Sequence, residues 1–354
     1  NFYVVLDKYL EYGQENEIKV VADNAAEKNS RWYSGSGIYR NVNLLVGARI
    51  HIPAEGVKIT TPSVSEESST VEIAATVKNL LRNKEKVTVE TVISHDGEVV
   101  GKDVVGVTMY GEAEETVRQT ICLEKARLWS TDDPFLYECV VTVYAGEEKL
   151  DETHETFGIR KLELDAEHGL RINGKQVKLR GTCIHHDNGI IGATTLEKAE
   201  ERRCRQMKEA GFNSKAMLDA CDKYGILVMD ELTDMWTNHK NPNDLALHFL
   251  DTMETEIKRM VAKDYNHPCV IMYSTGNEVA ETAQKKGIEL TGRMTSYLHK
   301  LDPYRPVTCG INIFFNFLSS MGMGVYSDDK AEKSAEIAEQ EAKKQEKEKK
   351  KKEK

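Results

Sequence analysis

The chain has 354 residues, 40% hydrophobic and 30% charged, proportions ordinary for a globular chain of two or three domains. Its formal net charge of −10 argues against nucleic acid as a partner, and no apolar run reaches the roughly 20 residues of a membrane span. The seven cysteines are scattered, with no C-x-x-C pair, and read as buried free thiols rather than a metal or redox site. No signal peptide is visible, and the opening "NFYVVLDKYLEYG" reads like the middle of a domain.

Up to about residue 165 the pattern is β. "NEIKVVADN", "NVNLLVGARIHI", "TVEIAATVKNL", "KVTVETVISHDGEVVG" and "YECVVTVYAGEEKLDETHETF" are short, rich in Val, Ile, Thr and Tyr, and partly alternating, with hairpin signals at "HDGE" and "AGEE". Pro53 and "TPSVSEESS" mark a boundary. Residues 54–160 fit a seven-strand sandwich, and residues 1–53 the end of another β domain.

From residue 161 strands alternate with helices. "VKLRGTCI" is predicted as a strand. "TTLEKAEERRCRQMKEAG" follows as a helix with Leu196, Ala199, Met207 and Ala210 on one face, a Thr194/Glu197 capping box and a stop at Gly211. "SKAMLDACDKYG" is a helix ending at Gly225, and "ILVMDE" a strand. Phe249, Met253, Ile257 and Met260 fall in register on a helix closed by His267-Pro268. "CVIMYSTGNE" is a strand, "IELTGRMTSYLHKLDP" a helix and "PVTCGIN" a strand, so residues 161–328 read as α/β with a parallel sheet. Residues 329–354 form a Lys/Glu-rich tail with no apolar face to bury.

In parallel α/β folds functional groups gather past the C-terminal ends of strands. Three clusters occupy such positions: Cys183, His185, His186, Asp187 and Asn188; Asp230 and Glu231 with Asp234 and Trp236; and Asn277 with Glu278. Carboxylates, imidazoles, an amide and an aromatic ring together suit a polar, ring-shaped substrate. Taken singly, the two histidines also fit a structural loop, and Asp230-Glu231 a helix cap. The His185, His186, Asp187 spacing matches no strong metal signature, and no cofactor is called for. No G-x-G-x-x-G or P-loop follows a strand, which removes an open cofactor-binding domain from consideration.

The ordered set "SRWYSGSGIYRNVNL", "LWSTDDPFLYECVVTVY", "FGIRKLEL", "INGKQVKLRGTCIHHDNG", "KYGILVMDE" and "VIMYSTGNEV" resembles glycoside hydrolase family 2. The resemblance implies part of a sugar-binding-like jelly roll over 1–53, an immunoglobulin-like β-sandwich over 54–160, and the N-terminal part of a (β/α)8 TIM barrel over 161–328. It implies a retaining β-glycosidase, β-galactosidase first and β-glucuronidase or β-mannosidase as alternatives, acting on an oligosaccharide or glycoside, with a homo-oligomeric parent compatible. Glu278 matches the family's general acid/base and Asn277 its 2-hydroxyl contact. His185, Asp187, Glu231, Asp234, Trp32 and Tyr33 are candidates for substrate binding, the last two on a loop that in the family approaches the active site.

Two departures qualify that reading. After "GFN" the family's Arg and His-Asn-Pro motif has no counterpart, because Asn213 runs directly into Ser214. Residues 166–328 also have room for only about five strand–helix units, against the roughly 250 residues of a whole barrel. The nucleophilic Glu of the seventh strand is thus expected to lie outside this chain, and the chain by itself is expected to be poorly soluble and inactive. A non-catalytic carbohydrate-binding or scaffold remnant is the competing reading. Free thiols favour the cytoplasm, while a periplasmic or secreted bacterial parent stays open.

Overall fold

The computed structural model describes residues 3–22, 37–185, 188–210, 218–240 and 244–322. Eight antiparallel strands come first: β1 (Ile50–His51), β2 (Val57–Ser63), β3 (Ser68–Asn79), β4 (Glu85–His95), β5 (Glu98–Met109), β6 (Glu114–Glu124), β7 (Tyr137–Ala145) and β8 (Glu148–Phe157). In one sheet β3 pairs with β1, β2 and β6; in the other the order is β5-β4-β7-β8. Alternation explains the sandwich. Val71, Ile73, Ala75 and Val77 of β3 point inward with Val87, Val89 and Ile93 of β4 and Val141 and Val143 of β7, forming one core. Both predicted hairpins are present. Asp96 and Gly97 take φ of 48° and 80°, a two-residue turn whose twist matches the paired strands.

The described residues before Ile50 carry no strand. This differs from the jelly-roll segment expected over 1–53. Val21, Val42 and Val46 are exposed there. A strand exists only against a neighbour that exchanges hydrogen bonds with it, and the described residues before Ile50 form no such ladder.

After the sandwich, β9 (Leu162–Asp165), β10 (Gly169–Ile172) and β11 (Lys175–Gln176) form a small antiparallel sheet. Asn173 and Gly174, both at positive φ, turn β10 into β11. The strand predicted at "VKLRGTCI" is not formed: only an isolated bridge at Gly181 appears, and Leu179 is exposed. The α/β part contains α1 (Glu197–Glu209), α2 (Leu218–Tyr224), β12 (Val228–Glu231), α3 (Phe249–Asp264), β13 (Val270–Asn277), α4 (Lys285–Leu301), β14 (Val307–Gly310) and α5 (Ile313–Ser320). Its sheet is parallel, in the order β12-β13-β14. Helix α3 buries Phe249, Met253, Ile257 and Met260, the face its spacing predicts. Helix α1 differs. It starts after Leu196 without a side-chain cap, so no Thr194/Glu197 box forms, and it buries Glu200 and Cys204 while Leu196 is exposed. Glu200 can be buried because Asn188 donates to its Oε1 at 3.0 Å. Gly225, at φ 65°, ends α2 as expected. Gly211 and the 329–354 tail lie outside the described residues.

The two parts are joined by buried polar contacts. Trp129, fully buried, donates from Nε1 to the Asp222 carbonyl at 2.9 Å. Asn266 accepts from the Ile59 amide and donates to the Val57 carbonyl and to Glu155. Arg160 donates to the carbonyls of Pro268 and Val270. The same turn before β13 is held from inside by Arg305, which reaches the carbonyls of Asp264, Tyr265, His267 and Val270 and the Asp302 carboxylate.

Replacing Arg305 by Met leaves the buried Asp302 carboxylate without its cation and removes a donor from the carbonyls of Tyr265 and His267. The expected loss is about 3–5 kcal/mol, read as a lower urea midpoint for unfolding of the α/β part; a loss under about 1 kcal/mol would contradict the role given to this side chain. A pH effect follows at the same turn. His267 Nδ1 lies 2.6 Å from Asp222 Oδ2. Burial works against the imidazolium, but the Asp222 contact outweighs it and holds the His267 pKa above 6.5. A raised histidine pKa contributes stability that is complete below the unfolded value and lost as pH rises through the folded one. Stability should therefore fall as pH is raised above 6.5, and Asp222→Asn should flatten that slope in denaturant titrations.

Candidate active site

Strand β13 begins as an apolar run and ends in polar residues because its surroundings change along its length. Val270, Ile271 and Tyr273 are buried in the core between sheet and helices. At Thr275 and Gly276 the strand meets Trp236, whose Nε1 donates to the Thr275 carbonyl at 2.8 Å. A Cβ on Gly276 would fall 2.7 Å from that nitrogen, so the ring requires glycine here. Trp236 itself is fully buried and stacks on Phe249 at 6.5 Å. It is a packing residue, not a platform for a sugar.

Beyond Gly276 the chain leaves regular β geometry. The β13–β14 register shifts between Ser274 and Asn277, and Glu278 adopts φ of 50°. A non-glycine residue in this left-handed region is uncommon and clusters at functional sites. Three contacts hold it there. The Glu278 amide donates to the Gly310 carbonyl at 2.6 Å. Asn312 Nδ2 donates to Glu278 Oε1 at 2.9 Å. Lys240 Nζ donates to the carbonyl of Asn277, the residue just before, at 2.5 Å.

Lys240 is nearly fully buried and pairs with Asp234 Oδ1 at 3.1 Å. The same oxygen accepts from Asn277 Nδ2 at 3.2 Å. Asp234 thus orients both the Asn277 amide and the lysine that grips the 277–278 peptide. An amide carries two N–H bonds, and the bond to Asp234 uses one of those of Asn277. The loop carrying Asp234 and Lys240 is fixed in turn by Glu281, whose Oε1 accepts from the Thr237 and Asn238 amides and the Thr237 hydroxyl.

The predicted candidates divide. Asn277, Glu278 and Asp234 are brought together. Glu231 ends β12 beside Ser274, whose hydroxyl donates to its Oε2 at 3.0 Å. That level lies four residues before Glu278 along the chain. Asp230 turns to the helix layer and pairs with Lys263 at 3.0 Å. Burial and the nearby Asp230 charge push the carboxyl of neighbouring Asp264 up. His185 is half-buried in the irregular stretch after the Gly181 bridge. Asp187, Trp32 and Tyr33 lie outside the described residues.

Lys240, Glu281 and Asn312 were not among the candidates. Asn312 is the last residue of "PVTCGIN", two past the end of β14, so the strand-end rule that selects Asn277 and Glu278 also reaches it. A lysine in the polar stretch "TNHKNPND" gives no such signal.

At the opposite end of β13, Asp222, His267 and Cys269 bring potential metal-ligand atoms within 4.8 Å of one another. These groups are engaged otherwise. Asp222 accepts from the Cys269 amide and contacts His267, and burial pushes the Cys269 thiol up to about 12.

Lys240→Met leaves the Asp234 carboxylate buried without its cation. The expected cost is about 3–5 kcal/mol, and the double variant Lys240→Met/Asp234→Asn should cost less than the single one. Chemical denaturation of the three proteins checks this ordering.

The chain matches the family description "Glycosyl hydrolases family 2, TIM barrel domain" over residues 164–354 and "Glycosyl hydrolases family 2" over residues 50–160. It is 36% identical to "Beta-galactosidase BoGH2A" of Bacteroides ovatus over 356 residues, covering 88% of this chain and 42% of that protein. It is 30% identical to a "Putative beta-glucuronidase" of Formosa agariphila, covering 88% of this chain and 29% of that one. A glycosyl hydrolase family 2 member from Bacteroides cellulosilyticus superposes with a TM-score of 0.78 at 35% identity, covering 82% of this chain and 39% of that chain. The chain therefore spans about two fifths or less of the length of these relatives. With matching sandwich and barrel domains in the family's order, it belongs to glycosyl hydrolase family 2.

Proposed function

We propose that the protein is a retaining β-glycosidase and that Glu278 is its general acid/base. The observation that carries this reading is the fixation of one carboxylate at the C-terminal end of a central parallel strand. Its backbone is turned out of the strand at φ 50°, and one of its oxygens is bound by an amide. Barrel enzymes use groups from that end of their strands. A retaining glycosidase needs an acid that protonates the leaving oxygen and a second carboxylate about 5–5.5 Å away that attacks the anomeric carbon. Glu231 is not given that role, since its carboxylate is bound by Ser274, four residues before Glu278. The nucleophile in this reading is a glutamate outside the described residues. Asn277, oriented by Asp234, donates to the sugar 2-hydroxyl, and His185 and Asp187 complete the sugar contacts.

The sugar we assign is β-galactose, supported by the 36% identity to a protein named a β-galactosidase. A β-glucuronide is the second reading, supported by the relative named a putative β-glucuronidase at 30% identity.

The test uses the complete gene product with nitrophenyl β-galactoside, β-glucuronide and β-mannoside, then with alkyl glycosides of the sugar selected. Turnover with retention at the anomeric carbon is expected. Glu278→Gln should lose about 10²–10⁴-fold on the alkyl substrate. Glu278→Ala should regain turnover with azide and yield the β-glycosyl azide. Unchanged turnover in Glu278→Gln, or product of inverted configuration, would overturn the assignment. No turnover on any of the three sugars would favour a carbohydrate-binding remnant.

A further inference from the structure

Resting on the acid/base role proposed for Glu278, we infer that Glu281 is a positioning residue for that acid, tying the loop after β12 to the turn that carries it. Glu281 lies three residues beyond Glu278, in a 3-10 turn over Ala280–Ala283, and is buried. Its Oε1 accepts from the Thr237 amide at 2.8 Å, the Asn238 amide at 2.8 Å and the Thr237 hydroxyl at 3.0 Å. An ionised carboxylate only accepts, so none of its own groups opposes these three donors. Two successive backbone amides on one oxygen fix the direction of the loop as well as its distance.

The loop meets the end of β13 on both sides of Glu278. Before it, Trp236 Nε1 donates to the Thr275 carbonyl at 2.8 Å and Lys240 Nζ to the Asn277 carbonyl at 2.5 Å. Beyond it, Glu281 supplies the remaining contact. The backbone at Glu281 is itself seated. A Cβ on Gly287, in the first turn of α4, would overlap the Glu281 carbonyl, so that helix packs directly on this residue. The Thr282 hydroxyl donates to Asn316 of α5 at 3.0 Å. The residues after Glu278 therefore rest on α4 and α5, and the Glu281 carboxylate ties the loop to that seat.

Glu278 acts twice in the reaction. In the first step its proton passes to the glycosidic oxygen as the anomeric C–O bond breaks, the nucleophilic carboxylate bonds the anomeric carbon and the aglycone leaves as an alcohol. In the second step Glu278, now a carboxylate, takes a proton from water as the water oxygen attacks the anomeric carbon and the bond to the nucleophile breaks. A displaced Glu278 slows both transfers. Asp234, which orients the Asn277 amide, lies on the other side of the buried Trp236 from Thr237 and Asn238. Releasing Glu281 thus loosens the Lys240 side of the loop and spares the contact assigned to Asn277.

The complete gene product is compared with Glu281→Gln and Thr237→Val on aryl β-glycosides of the sugar it turns over, with leaving phenols from strongly to weakly acidic. Gln keeps the shape but sets a neutral amide against the three donors. Val keeps the shape of Thr237 and removes only its hydroxyl. Weakly acidic phenols need protonation to leave, so their kcat/KM reads the first transfer. Glu281→Gln should lower it by about tenfold to a hundredfold, part of the roughly 10²–10⁴ that general acid–base catalysis supplies. The most acidic phenol leaves unaided, so its kcat/KM should hold while the second step limits turnover. There kcat and KM should fall together, with a burst of one phenol per active site as the glycosyl-enzyme accumulates. Thr237→Val should show the same pattern at about twofold to tenfold, the worth of one hydrogen bond.

A variant that is merely less folded loses kcat evenly across the series and keeps KM. An even loss of that kind in Glu281→Gln, or no loss, would overturn the inference and leave Glu281 a brace for the loop only. Should Glu281→Gln not fold, Thr237→Val is read by the same criteria. Glu278→Gln runs in parallel. If it keeps kcat/KM on the weakly acidic phenols, or if the complete protein turns over none of the three sugars, the acid/base reading fails and takes the role of Glu281 with it. If Glu278→Gln loses that rate while Glu281→Gln does not, only the role of Glu281 fails.

Discussion

Two guanidinium groups meet at one oxygen, the carbonyl of Val270. Arg160, from the segment leaving the sandwich, donates to it at 2.8 Å, and Arg305, from the turn entering β14, at 2.7 Å. Arg305 is buried and Arg160 partly buried, and their electrostatics differ. Burial and the neighbouring Arg305 lower the pKa of Arg160 to about 9. Burial also opposes the charge of Arg305, but Tyr273 and Asp302 outweigh it and raise its pKa. Arg305 has a carboxylate at 2.5 Å; Arg160 is held by carbonyl oxygens. Two unshielded cations here would repel in a medium of low dielectric. Asp302 makes the pair tolerable, and the pair fixes where β13 begins relative to both domains.

That origin matters because β13 delivers Asn277 and Glu278 at its other end, seven and eight residues on. A strand transmits position along its axis only if its register is fixed at both ends. Arg305 and Arg160 supply one end. Trp236 on Thr275 and Lys240 on Asn277 supply the other. The groups that set the geometry of the candidate acid thus include two arginines that lie a whole strand away from it.

The legible parts of the sequence were those decided by local periodicity. Alternation gave the sandwich core, and the 3.6-residue repeat gave the buried face of α3 from Phe249 to Met260. Where a buried side chain is polar and partnered, periodicity misleads. Helix α1 hides Glu200, bound by Asn188, and exposes Leu196, so its inner face lies one residue away from the apolar pattern. Strands such as "VKLRGTCI" were unreadable for a different reason. Their residue types are right, but a strand depends on a neighbour that no local window contains. The Asn173-Gly174 turn between β10 and β11, by contrast, is a strong local hairpin signal.

The candidate site shows the same division between what neighbours on the chain and what neighbours in space. Asn277 and Glu278 were visible because they follow their strand directly. Lys240 was not, because its role arises from 37 residues of separation between its amine and the Asn277 carbonyl. A lysine in a polar loop is ordinarily solvated, and burying its charge is unfavourable without a partner. Here Asp234 supplies that partner and then uses its second contact to orient the Asn277 amide. The cation's need for compensation therefore explains why Asp234, Lys240 and Asn277 converge. Once they do, the peptide joining Asn277 to Glu278 has little freedom to rotate. The left-handed φ of Glu278 is a consequence of that clamp on one side and of Gly310 and Asn312 on the other, not a preference of glutamate itself.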